Sequence, residues 1–215
     1  MMQRLGIFLI SVILLALGMS GCSTTQEYSS AKQQIIDLNE GDLSRDGLAF
    51  LTPTTVTGKE EDKQVFALVF TDTLAELRPD IPLLTLPQTL SAINQAGLAG
   101  PYRQMVVNYR DTGIFEKATL SKISEVVGVR YVAQLKLSDF LQYSKGRFSA
   151  LGIRLLETKQ AHVRVFLQIW DVSKGTIAWE AVEELNFAYE TGTEDPVSFN
   201  LIVRKAAVNL IGRLP

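Results

Sequence analysis

Between Val163 and Phe187, apolar residues fall on alternate positions on both sides of one turn, and no other stretch restricts the fold as much. In Val163-Arg164-Val165-Phe166-Leu167-Gln168-Ile169-Trp170 the odd positions form an apolar face. Asp171-Val172-Ser173-Lys174-Gly175 follows, a turn with a glycine available for positive φ. Ile177, Trp179, Ala181, Leu185 and Phe187 resume the alternation. A period of two means strands with one buried face, so the stretch is a hairpin. Glu183 interrupts the apolar face, which predicts a place near the sheet edge or a bulge that re-aims it.

The rest of the fold is read outward from that hairpin. Tyr131-Val132-Ala133-Gln134-Leu135-Lys136-Leu137 alternates in the same way. Gly47-Leu48-Ala49-Phe50-Leu51-Thr52-Pro53 is a short buried strand ended by proline. Thr57-x-x-Glu60 reads as a capping box for a helix over residues 59–78, with Val65, Phe66, Val69, Phe70, Thr73, Leu74 and Leu77 at helical spacing. Residues 81–86 form a second short strand, which Pro82 places at an edge. Three helices are predicted next. The first opens at Pro87 and closes at Gly97; the second opens at Pro101 with Met105, Val106 and Tyr109 inward. The third is capped by Thr119, turns Leu120, Ile123, Val126 and Val127 inward, and ends at Gly128. Asp195-Pro196 begins a last helix. The order β-α-β-α-α-α-β-β-β-α predicts an α/β domain over residues 47–215, a mixed sheet of about five strands with helices packed on it.

The amino end obeys different rules. Arg4 precedes an apolar run over residues 5–17, and small residues lead to Met19-Ser20-Gly21-Cys22. A basic start, an apolar middle and a small-residue cleavage site make a secretory signal over residues 1–21. The run of about 13 residues is shorter than the roughly 20 of a spanning helix. Residues 23–34 are polar, and a short flexible tether is expected over residues 22–46, with at most a helical turn at Ile35, Ile36 and Leu38. Cys22 is the one cysteine and His162 the one histidine, which excludes an internal disulfide and a Cys/His zinc site. A net charge of −2 argues against a nucleic-acid partner.

Met19-Ser20-Gly21-Cys22 resembles the lipobox of bacterial lipoproteins, with Met19 where leucine is usual. The resemblance implies cleavage between Gly21 and Cys22 and a covalent lipid on the Cys22 thiol, with no other cofactor. Ser23 stands where an aspartate would signal inner-membrane retention, so the resemblance implies the outer membrane, facing the periplasm. A second resemblance covers residues 47–215. The strand–helix unit over residues 81–98, the run Val126-Val127-Gly128-Val129-Arg130-Tyr131-Val132, and the hairpin from Leu167 to Trp179 with its Asp171 and Gly175 stand in the order of one periplasmic group. That group includes the amino-terminal domain of TolB, the curli-secretion lipoprotein CsgG and the penicillin-binding-protein activator LpoB. It implies a binding domain. Four barrel strands of about 9–11 residues each do not fit beside the domain's own strands, so no pore is expected.

Catalytic candidates are few. His162 is expected on the solvated face of a strand, with no nucleophile beside it. No Gly-x-Ser-x-Gly elbow and no phosphate-binding glycine loop occurs. Glu60-Glu61-Asp62 suits a helix start, and Asp171 suits Asx bonding in a turn. The segment Tyr143 to Arg154 mixes three cations with aromatic and aliphatic residues, as a loop or a strand extension. Tyr143, Arg147, Phe148 and Arg154 are the partner-binding candidates, because aromatic and arginine side chains anchor interfaces. The expected function is a non-catalytic outer-membrane lipoprotein that binds an envelope protein in assembly, secretion or regulation. A homo-oligomeric ring subunit without a barrel is the second reading, and an envelope hydrolase comes last.

Overall fold

The predicted hairpin is the middle of the sheet. The structure is a computed structural model that describes residues 25–150, 153–191 and 196–215. Strands β5 (Tyr131–Ala150), β6 (Ile153–Asp171) and β7 (Thr176–Thr191) form an antiparallel meander. At the β6–β7 turn Gly175 sits at φ 74° and its N–H donates to the Asp171 carbonyl at 2.8 Å. Positive φ there is what the glycine supplies.

The remaining strands extend the sheet on both sides. β2 (Leu48–Phe50) and β3 (Thr54–Thr55) lie parallel to β5, and β4 (Leu83–Leu84) lies parallel to β2. β1 (Thr25–Ile35) lies antiparallel to β7, giving a seven-stranded mixed sheet in the order β1-β7-β6-β5-β2-β4, with β3 beside β5. The α/β class and mixed sheet are those expected; the two extra strands are β1 and the two-residue β3.

Helices cover both sheet faces. They are α1 (Asp42–Asp46), α2 (Glu60–Leu77), α3 (Leu86–Gln95), α4 (Ala99–Thr112), α5 (Lys117–Val127) and α6 (Phe199–Ile211). On one face Phe66, Phe70 and Leu74 of α2 and Ile202, Val203 and Ala206 of α6 join Leu135, Val165, Ile169 and Trp179 in one core. On the other, Met105, Tyr109, Leu120 and Ile123 of α4 and α5 close over Val132, Trp170 and Val172. Tyr109 stacks on Phe115 at 4.2 Å, and Trp170 meets Phe115 edge-on at 5.1 Å. Each large side chain so buried stabilises the fold by about 1.5–3 kcal/mol.

Several helix ends differ from expectation. Lys59 takes the N-cap position of α2 without a side-chain bond, and Thr57 is left beside Thr55 instead. The capping box forms at α3, where Thr85 N–H donates to Gln88 Oε1 at 2.8 Å and Gln88 N–H to Thr85 Oγ1 at 3.4 Å. Pro87 therefore follows the first helical position, and Pro101 stands inside α4, which opens at Ala99. Thr119 lies inside α5, donating to Glu116 at 2.6 Å. Leu77 and Val126 are exposed, each within the last two residues of its helix.

The largest departure concerns the tether. Thr25–Ile35 is an edge strand, paired with β7 at every position from Thr25↔Tyr189 to Ile35↔Trp179. Its side chains are exposed or half-buried throughout, so hydrophobic periodicity carries no signal there. The backbone ladder holds it, helped by Lys205 donating to Glu27 at 2.6 Å. Leu38 and Leu43, which follow, are buried in the first core. Glu183 departs from both expectations as well. β7 lies between β6 and β1, and the register runs unbroken through Glu183, which is fully buried. Its Oε1 accepts from Ser29 and Asn209, which tie it to β1 and α6.

Candidate functional site

The ends of the strands farthest from the β6–β7 turn carry the candidate surface. Pairing places Leu141, His162, Asn186 and Tyr28 in one row across β5, β6, β7 and β1. Tyr143, Gln160, Ala188 and Gln26 make the next row on the same face, since side chains alternate. Tyr28 is 67% exposed, Leu141 54% and Tyr143 55%. A groove of about 220 Å3 crosses these rows, lined by Gln26, Tyr28, Tyr143, Gln160 and Asn186 among others. One row inward, Arg164 Nε donates to Glu184 Oε1 at 2.6 Å, and beyond it the Lys136 ammonium stands 5.8 Å over the Phe166 ring. The face combines exposed aromatic and aliphatic groups with paired charges, which is the make-up of a protein-docking surface.

His162 bridges this face rather than standing free in solvent. Its Nδ1 lies 3.0 Å from Asn186 Oδ1 and its Nε2 3.4 Å from Asp139 Oδ2. Asp139 and Asn186 thus flank the two ring nitrogens, and the trio ties β5, β6 and β7 together.

Tyr143 falls on this surface. β5 continues through Arg147 and Phe148, and β6 begins just before Arg154, with Phe148↔Leu156 and Ser149↔Arg154 paired. The described residues of the segment, 143–150 and 153–154, are therefore strand, the extension rather than the loop. The side chains of Arg147, Phe148 and Arg154 lie outside the described residues, as do Gly21 and Cys22.

At the opposite end Asp171 holds the turn. Its Oδ1 accepts from the Ser173 N–H at 3.0 Å and hydroxyl at 2.6 Å, the Asx bonding expected. Its Oδ2 accepts from Arg130 Nη2 at 2.7 Å, and Arg130 also reaches Asp46 at 3.2 Å. Burial opposes the Asp171 charge, but Arg130 and Ser173 outweigh it and hold the carboxyl below its ordinary range. A cavity of about 510 Å3 lies beside Arg130, lined by Ser121, Ser124, Glu125 and Ser173. Two carboxylates already neutralise that guanidinium, so the cavity has no free cation from Arg130 to offer an anion. A third cleft, about 550 Å3 between α2 and α3, is lined by Val65, Leu68, Leu86, Pro87 and Leu90.

Among the described residues no group of three or more His, Cys, Asp or Glu is placed to hold a metal ion. Nor is any described helix long and apolar enough to cross a membrane, which says nothing of strands.

No family model matches the chain, and no curated protein matches it. Solved structures with a similar chain path include the PelC dodecamer from Paraburkholderia phytofirmans. It is 12% identical with a TM-score of 0.44, over 87% of this chain and 94% of that one. Lipoprotein GNA1162 from Neisseria meningitidis is 12% identical with a TM-score of 0.34, over 76% of this chain and 96% of that one. The LpoB C-terminal domain from Salmonella enterica is 14% identical with a TM-score of 0.30, over 65% and 82%.

Three features of the site were not read from the sequence. Arg130 is one cation among many in a linear reading, and only the fold brings it to Asp171. Tyr28 stood in a stretch without apolar periodicity. Leu141 follows a bulge between Leu137 and Asp139, which breaks the alternation that would have turned it inward with Leu135 and Leu137.

Proposed function

We propose that this protein is a lipid-anchored envelope protein that works by binding, without catalysis. The lipid sits on Cys22, at the outer membrane and facing the periplasm, and no other cofactor is assigned. The open face of β1, β7, β6 and β5 docks an envelope protein, with Tyr28, Leu141 and Tyr143 as the contact residues. The observation that carries the reading is the exposure of these three side chains on one sheet face whose first strand begins three residues after Cys22. The lipobox resemblance and the Ser23 that follows it support the anchor and its membrane.

The test is photo-crosslinking in intact cells. A photoreactive residue at Tyr143 or Tyr28 is expected to give one defined adduct with an envelope protein, and the same residue at Ser91 on α3 none. Absence of any protein adduct at positions 28, 141 and 143 overturns the reading.

A further inference from the structure

The direction of β1 determines which end of the domain meets the membrane. Thr25 pairs with Tyr189, Tyr189 with Lys159, and Lys159 with Ser144, so these four residues form one row across the sheet. β1 runs away from this row toward Ile35, so its Thr25 end faces the end of the sheet where β5 and β6 continue. Cys22 precedes Thr25 by three residues, a reach of at most about 11 Å.

The β5–β6 hairpin overhangs the same row by more. From Ser144 to Ala150 is six residues (150 − 144), about 20 Å of strand. Acyl chains on Cys22 start closer to the row than the hairpin end does. They enter a bilayer in this direction only when the hairpin end is already at the headgroups.

The chemistry of the overhang matches that location. Lys145 is exposed on β5, and the paired strand ends carry Arg147, Phe148, Ile153, Arg154, Leu155 and Leu156 in sequence. Cations with interspersed apolar residues suit an anionic headgroup layer. The depth is limited by hydrogen bonding. Among the described residues, β6 pairs with β7 as far as Glu157↔Thr191, and β5 beyond Asp139 pairs with β6 alone. A two-stranded ribbon with unpaired edges cannot enter hydrocarbon, so it stays among the headgroups.

We propose that the ends of β5 and β6, beyond the Thr25 row, form a second membrane contact that rests on the headgroups of the bilayer holding the Cys22 lipid. The inference rests on the lipid-anchor reading. The lipid holds the domain at the membrane, and this contact fixes which way the domain stands there. It stands the sheet on end, leaving Tyr28 and Leu141 facing sideways, with Leu141 about 30 Å of strand away from the Ala150 end.

The test uses the full lipidated protein in vesicles of phosphatidylethanolamine and phosphatidylglycerol. An environment-sensitive fluorophore is attached at Ser149→Cys, and at Thr176→Cys by the far turn as the control. The position-149 probe is expected to brighten about twofold, as for a group entering the interface, and to be quenched by spin-labelled lipid. The position-176 probe is expected to report water. A lipidated protein whose position-149 probe matches the control overturns this inference alone. A mass spectrum showing Cys22 without lipid overturns the anchor reading and this inference with it.

Discussion

Ser29 donates a 2.5 Å hydrogen bond to Glu183 across 154 residues of sequence, and the pair ties the edge strand β1 to the middle of the fold. Asn209 of α6 donates to the same carboxylate oxygen at 3.0 Å, while Oε2 has no hydrogen-bond partner. Ser29→Ala is expected to cost about 1–3 kcal/mol, because it removes a bond from a buried charge. Urea denaturation measures the loss. Hydrogen exchange is expected to show faster uptake over residues 25–35 than over β6.

Arg130 is the nearer counter-charge of the fully buried Asp171, at 2.7 Å against 3.8 Å for the Lys174 ammonium. Arg130→Met is expected to destabilise the protein by about 2 kcal/mol or more, since it leaves that carboxylate with its turn donors and the more distant Lys174 ammonium. Adding Asp171→Asn is expected to recover part of the loss. A double-mutant cycle in thermal or urea unfolding gives the coupling.

Acid weakens the fold through its depressed carboxylates. The Asn39 N–H and then Arg45 hold Asp42 at about 2, against an ordinary 3.8. A folded value below the unfolded one means stability that is present above about pH 4 and is lost as pH falls toward 2. Asp171 shifts in the same direction. Stability measured between pH 6 and pH 2.5 is expected to fall, with a shallower fall in Asp42→Asn.

Gly47 has φ 71°, and a Cβ there would meet Val129 Cγ1 at 2.8 Å and the Pro82 carbonyl at 3.3 Å. Gly47→Ala is therefore strained both by its backbone and by its neighbours. A loss of about 1–3 kcal/mol is expected, read from the denaturation midpoint.

Legibility followed the apolar pattern. Val163 to Phe187 alternates because one face is buried, and the hairpin and its turn came out where the residues placed them. α2, with Phe66, Phe70 and Leu74 facing the sheet, was legible for the same reason. Thr25–Ile35 was not, because an edge strand held by backbone bonds leaves no apolar period. Glu183 was misplaced because its partners, Ser29 and Asn209, come from β1 and α6. Of the candidate surface, Tyr143 could be picked out by residue type. Its neighbours Tyr28 and Leu141 needed the strand register.

Mass spectrometry of the amino-terminal peptide of membrane-extracted protein tests the anchor most directly. The expected result is a chain that begins at Cys22 and carries a diacylglyceryl group on its sulfur, with residues 1–21 gone. A chain that keeps Arg4 and the apolar run, or a Cys22 with a free thiol, would contradict it.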